Sequence, residues 1–397
     1  MSARTARLGD ICEINPRAPK SLQDDARVSF LSMAGVSEEG FIDEEQERAA
    51  GEVRKGYSFF KRGDVLVAKI TPCFENGKAT RTSSLRHPIG FGSTEFHVLR
   101  ASNDVLPDYV FHTVWNTSFR EVGARNMTGS AGQKRVPTDF IRRLEIPLPP
   151  LDEQRRIAAI LDKADALRRK RKRIVDLIGA VPQSLFIQMF GDPQANPNRW
   201  NKTAALSEVA DIGSGITKGR KEPTGPLRTV PYLAVANVQD RALDLSSVKA
   251  IEASEEEIAR FRLRDGDLVV TEGGDPDKLG RGTVWKGELP EAIHQNHIFR
   301  IRTDQREVHP VYLNYLIGSR YGKSYFLRSA KQTTGIASIN KSQLSQFPVL
   351  LPPLDLQLRF AVELDKLKGL EKGAAAASEG TSALFASLQH RAFSGQL

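Results

Sequence analysis

The feature that most constrains this chain is that it is written twice. PLPPLDEQRRIAAILD at 147–162 returns as LLPPLDLQLRFAVELD at 350–365. A constant offset of 203 carries Gly63-Asp64 onto Gly266-Asp267, Gly77 onto Gly280, Thr80 onto Thr283, Phe96 onto Phe299, Pro107 onto Pro310, Tyr109 onto Tyr312 and Gly132 onto Gly335. It still pairs Phe190 with Phe393, which reads as one ungapped register over some 130 residues. Upstream of Gly63 the register slips: ARLGDI at 6–11 matches AALSEV at 204–209. Self-similarity on this scale means one structural unit used twice, so the fold must be solved once and applied twice.

Each copy opens with about 150 residues of mixed pattern. Short apolar runs, DVLVAKI (64–70) and DLVVTEG (267–273), have the length of buried strands. Helices begun by proline follow, PDYVFHTVW (107–115) and PVYLNYLIG (310–318), separated by Gly-rich polar loops. An α+β globular domain fits both. Pro147, Pro149 and Pro150 cannot lie within a helix and mark an extended exit, with Asp152 and Asp355 as acids at the positive end of the helix that follows. The expected domains are 1–148 and 191–351, each followed by a helix, 149–190 and 352–397.

In the first helix Ile157, Ile160, Ala164, Leu167, Arg171, Ile174, Ile178, Val181 and Leu185 keep a heptad spacing. Phe360, Glu363, Leu367, Leu370, Ala374, Ala377, Thr381, Leu384 and Leu388 do so in the second. Calling these a and d predicts two helices that pair with each other as a coiled coil. The alternative is that each packs on its own globular domain. Pro182 is expected to kink the first helix, and Gly373 and Gly380 to interrupt the second.

A chain of 397 residues exceeds one ordinary core. It has no apolar run of membrane-spanning length and no apolar leader, and its two cysteines exclude a disulfide framework or a Cys-based zinc site, so a reducing cytoplasm is expected. The net charge of +9 leans toward an anionic partner, most simply nucleic acid.

The junction IPLPPLDEQRRIAAILDKADAL, the segment SLFIQMFGDP and the ending SLQHRAFSGQL resemble the specificity subunit of type I restriction–modification systems, over the whole chain and in the expected order. The second junction departs from the pattern at Leu356, where the first has Glu153. The resemblance implies a pseudo-two-fold tandem repeat whose two target-recognition domains, separated by two long antiparallel helices, each read half of an asymmetric double-stranded DNA site. It also implies that the helices act as a spacer and dock two adenine methyltransferase subunits, through which restriction and motor subunits join. The subunit would be non-catalytic, without cofactor, metal or membrane.

Motifs that could carry chemistry are weak. GSRYGKSYF (318–326) is one residue short of a phosphate-binding loop. His294 and His297 lack a metal-ligating partner nearby, DPDK (275–278) lacks the rest of a nuclease core, and Gly213/Gly215 do not make a dinucleotide loop. A self-contained methyltransferase or nuclease with an unrecognised motif, or a coiled-coil scaffold, are the competing readings. Candidate DNA contacts are Lys78 and Arg281, equivalent basic residues after a glycine; Gln133, Lys134 and Arg135 in one polar loop; Lys331, Gln332 and Lys341 in its counterpart; and Lys218, Arg220 and Lys221. The helix seam is expected at Ile157, Ile160, Ala164, Leu167, Ile174, Phe360, Leu367 and Leu370. Between 152 and 181 nine basic residues face five acidic ones, much of the excess in RRKRKR (168–173), which suits a solvated face, a protein dock or phosphate contact.

Overall fold

A computed structural model describes residues 4–397 except Ala131, Arg199, 221–224, 276–277 and 334–335; of 331–333 and 336 the backbone alone is described. The chain divides into two compact units, residues 1–173 with 375–397, and residues 174–374. Each holds one globular domain and a segment of both long helices.

In unit 1 the strands Cys12–Ile14, Phe96–Ala101, Val65–Ala68 and Ala79–Arg81 form one antiparallel sheet. A second sheet runs Gln46–Ala49, Arg27–Leu31, Ile89–Gly92, Ser58–Lys61. Unit 2 repeats the first sheet as Ala210–Ser214, Ile298–Thr303, Leu268–Thr271 and Gly282–Val284, and keeps part of the second as Lys249–Ala253, Arg228–Leu233 and Ile293–His294. Val65–Ala68 and Leu268–Thr271 are buried throughout, as central strands covered on both faces are.

The repeat is also written in hydrogen bonds. Gly63 and Gly266 adopt φ of 96° and 85°, a turn conformation open to glycine, and each delivers an aspartate into the core. Asp64 accepts both arms of Arg100 at 2.8–2.9 Å, and Asp267 those of Arg302 at 2.8 Å. Both aspartates also accept a backbone N–H, from Lys61 and Arg264, at 2.7 Å. A buried carboxylate so paired and bonded repays its desolvation. Tyr109 donates to the Pro147 carbonyl and Tyr312 to that of Leu350, both at 2.9 Å. The fully buried Gln154 accepts from the Leu106 N–H and donates to the Asp104 and Pro149 carbonyls. Gln357 repeats this with His309, Glu307 and Pro352. The proline junction is thus a joint: one amide fixes the helix start to the domain it leaves.

The ungapped register fails locally. Val65 lies opposite Leu99, whereas Leu268 lies opposite Ile301, so the structural counterpart of Phe96 is Ile298 and not Phe299. A one-residue slip in a strand turns every side chain to the other face, and keeping Arg302 on Asp267 requires the shorter spacing.

The long helices run unbroken over Leu151–Phe190 and Leu354–Phe393. Pro182 lies inside the first, and Gly373 and Gly380 inside the second, so none of them ends its helix. In unit 1 Ile157 and Leu161 share a core with Phe385, Leu388 and Ala392; in unit 2 Phe186 and Phe190 share one with Phe360 and Leu364. The start of each helix therefore meets the end of the other, an antiparallel pairing, while the same residues also pack on the globular domain.

That double duty rotates the seam. The a positions Ile157, Ala164, Phe360 and Leu367 are buried or half-buried, but among the expected d positions Ile160 is only half-buried. Leu167 is 42%, Ile174 41% and Leu370 63% exposed. The e positions Leu161, Leu364, Phe385 and Ala392 take their place, each under 8% exposed. A seam serving one partner helix is narrow, whereas a helix that covers both a partner and a domain needs a wider stripe. At d the second helix offers Glu363, so that stripe opens toward e.

Candidate nucleic-acid interface

Three loops converge where the central strand of each domain ends. In unit 1 the Ala68 N–H donates to the Lys78 carbonyl and the Lys69 N–H to that of Glu95, while Val136 donates back to the Lys69 carbonyl, each at 2.8 Å. Thr71 donates to the Lys134 carbonyl at 3.0 Å, and Thr128 and Arg135 exchange two backbone bonds that close the loop between them. Unit 2 builds the same node: Thr271 donates to the Arg281 carbonyl, Glu272 to that of His297, and Ile339 to that of Glu272. The backbone bonds of Lys78 and Arg281 are thus equivalent, as their spacing predicts.

Side chains at the node differ. Arg135 holds Glu95 with two hydrogen bonds of 2.8–2.9 Å, and this contact keeps the Glu95 carboxyl below the usual range. Lys78 donates from Nζ to the Met33 carbonyl at 3.0 Å. Gln133 and Lys134 are exposed, and Lys134 has no ion pair among the described residues. His97 is buried, with Nε2 on the Val136 carbonyl at 2.9 Å, and burial lowers its pKa.

In unit 2 Arg281 reaches Gln239 at 3.2 Å and Lys341 lies exposed at the start of a short helix, Lys341–Ser345. Lys218 is exposed. Arg220 is drawn to Glu257, at 2.5–2.6 Å, and to the Glu252 carbonyl, on elements other than the node. Lys221 and the side chains of Lys331 and Gln332 lie outside the described residues. The node also contains Lys69, Glu95 and Glu272, which composition does not single out. Laying the two copies over each other sets Lys69 on Glu272 and is the signal that could have found them.

Several motifs resolve into packing. Ser319 and Gly322 make the corner between Pro310–Gly318 and Arg320–Ser329: a Cβ at Gly322 would sit 2.0 Å from the Ile317 carbonyl oxygen. Gly215 is similarly close, 1.9 Å, to the His294 carbonyl oxygen. His294 is buried with Nδ1 on the Phe261 carbonyl, and burial pushes its pKa down to about 4, so it is neutral. Among the described residues no group of three metal-ligating side chains exists. Nor is any described helix long and apolar enough to cross a membrane.

The basic run divides. Arg168 and Arg169 both bind Asp165 at 2.8 Å, and Lys172 pairs with Glu39 of the globular domain. Lys170, Arg171 and Arg173 are exposed, without an ion pair among the described residues.

Residues 3–175 match the family model described as type I restriction modification DNA specificity domain. The specificity subunit of the type I restriction enzyme EcoAI from Escherichia coli is 44% identical over 149 residues, 37% of this chain and 25% of that protein. The first part of the chain, residues 3–175, thus resembles the type I restriction–modification specificity family. The EcoEI specificity subunit from Escherichia coli is 41% identical over 159 residues, 39% of this chain and 26% of the relative, so the matches span about a quarter of these relatives. A chain solved in work on complex assembly and conformational transition of the type I R-M system superposes over 100% of this chain and 99% of its own, at 19% identity and a TM-score of 0.64. The tandem α+β fold is thus shared with that chain over its whole length.

Proposed function

We propose that the chain is the non-catalytic DNA-recognition subunit of a type I restriction–modification complex, reading a bipartite, asymmetric site. Residues 1–148 and 191–351 act as the reading domains, and 149–190 and 352–397 as the helical spacer. Two adenine methyltransferase subunits dock on the helices, and restriction subunits join through them. The observation that carries this reading is one loop node built twice on the same backbone bonds and furnished with different side chains. A repeated frame suits two equivalent sites on DNA, and unlike furnishings suit unlike half-sites, since base edges are read by side chains in the groove. The exposed Lys134, Lys218 and Lys341 would add phosphate attraction that falls with salt.

The test is to mix the purified chain with methyltransferase subunits and map methylated adenines on random-sequence DNA. Methylation that requires both components and follows a two-part motif is the expected result. Exchange of residues 1–146 for the first domain of another family member should alter one half of the motif and leave the spacer unchanged. Methylation or cleavage by this chain alone would overturn the reading, as would a motif without two parts.

A further inference from the structure

The node contains one position at which the two domains reverse charge. Lys69 and Glu272 follow equivalent central strands, and each is fixed by two backbone bonds: N–H to the carbonyl of Glu95 or His297, and carbonyl from the N–H of Val136 or Ile339. All four bonds are 2.8–2.9 Å. The frame therefore positions the Cα of each without using its side chain, and folding places no demand on the sign of the charge. The neighbour at the equivalent place changes with it, from an acid beside Lys69 to an imidazole beside Glu272. Beside Lys69 lies Glu95, already held by Arg135, while Glu272 accepts from His297 Nδ1 at 2.6 Å. Arg135 has no cationic counterpart in unit 2, since the residue at its place is Ser338. Both side chains are partly accessible, at the same meeting of loops.

We propose that Lys69 and Glu272 are the corresponding base-reading residues of the two domains, a donor in one and an acceptor in the other. This rests on the DNA-recognition reading above and adds the chemistry of the base each domain selects. An ammonium donates and cannot accept, so Lys69 suits the O6 and N7 acceptors of guanine; a carboxylate only accepts, so Glu272 suits the exocyclic amino group of cytosine. His297 acts as a positioning residue: by occupying one carboxylate oxygen it orients Glu272 and leaves the other oxygen free to accept.

The experiment uses the full chain with its methyltransferase subunits on a library of randomised duplexes, read by sequencing of methylated adenines. Glu272→Lys should exchange a cytosine preference for guanine at one position of one half-site, with a change in preference of roughly tenfold or more. The nearly isosteric Glu272→Gln should relax the same position, and Lys69→Glu should act on the other half-site. The untouched half-site in each variant reports that the complex has assembled. An unchanged motif in all three variants, or equal loss of methylation on every sequence, overturns the assignment. A wild-type complex that yields no two-part motif instead sinks the DNA-recognition reading itself.

Discussion

The same five positions beside the helix joint are filled with rings in one unit and with a mixture in the other. In unit 2 Phe186, Phe190, Tyr312, Tyr315 and Phe360 meet with ring centroids 4.8–5.9 Å apart. By the repeat, unit 1 places there Gln389, Phe393, Tyr109, His112 and Ile157, and only Tyr109 and Phe393 still pair as rings, at 5.5 Å. His112 and Gln389 are 1% and 6% exposed, and His112 Nδ1 and Gln389 Nε2 have no partner among the described residues. The joint itself, Gln154 or Gln357 with its three backbone bonds, is common to both. What is shared is therefore the polar scaffold that fixes the chain path, and what varies is the filling. Unit 2 gains aromatic packing, whereas unit 1 buries polar atoms, which costs free energy when they are unpaired.

The largest consequence follows from that filling. Phe360→Ala should cost about 3–5 kcal/mol, because it removes a fully buried ring from the middle of the cluster. Ile157→Ala, the matching truncation in unit 1, should cost less, toward the lower end of the roughly 2–5 kcal/mol range for aliphatic residues. Urea denaturation of the two variants, followed by the tryptophans, compares them. Equal losses would mean that the aromatic cluster adds nothing beyond the common frame.

Much of this was legible in the sequence, because a repeat doubles every signal: the joint at Pro149–Pro150, the Gly-Asp turns and the antiparallel helices follow from residues that recur. Three things were not. The one-residue slip between Phe96 and Ile298 is set by hydrogen-bond register with the central strand, and matching letters cannot reveal it when Phe299 lies one place away. The seam moved from d to e because heptad spacing fixes a period and not which neighbours lie around the helix; the globular domain claimed Leu161 and Phe385. At the candidate interface, lysines and glycines marked the loops; the repeat sets Lys69 on Glu272, but only the backbone bonds place both where the loops meet.

The two units also differ in how acid affects the joint. Burial alone would raise the Asp162 pKa, but hydrogen bonds from His112 and Arg81 and their charges outweigh it and hold the carboxyl at about 2. Arg81 also binds Asp108, which faces the same guanidinium. A carboxylate with a depressed folded-state pKa stabilises the fold above its unfolded pKa, near 3.8, and loses that contribution as pH falls toward about 2. Asp162→Asn should therefore flatten the stability profile between about pH 4 and 2, by on the order of 1 kcal/mol after screening at this partly exposed site. The unit 2 counterpart, Asp365, meets Lys286 at 3.0 Å with both side chains well exposed, and Asp365→Asn should change the profile less. Urea midpoints at stepped pH distinguish the two, and identical profiles for both variants would remove the contrast.

The smallest effect concerns the polarity of the contact between domain and helix. In unit 1 the domain supplies the acid, Glu39, and the helix the cation, Lys172; Arg169 of the same helix lies over the Phe41 ring at 5.6 Å. In unit 2 the domain supplies the cation, Lys286, and the helix the acid, Asp365. Opposite polarity would help each domain settle on its own helix segment during folding, since a domain placed on the other segment would meet a like charge. The energy is small because Lys172 is 57% exposed, and an exposed pair contributes about 0.2–1 kcal/mol. Glu39→Lys and Lys172→Glu should each destabilise slightly, and the double reversal should recover most of the loss, giving a coupling of that size in a double-mutant cycle. The coupling should fade in about 1 M salt, where charges are screened within about 3 Å. Additive single effects at low salt would show that the pair forms without contributing, and that apolar packing alone matches domain to helix.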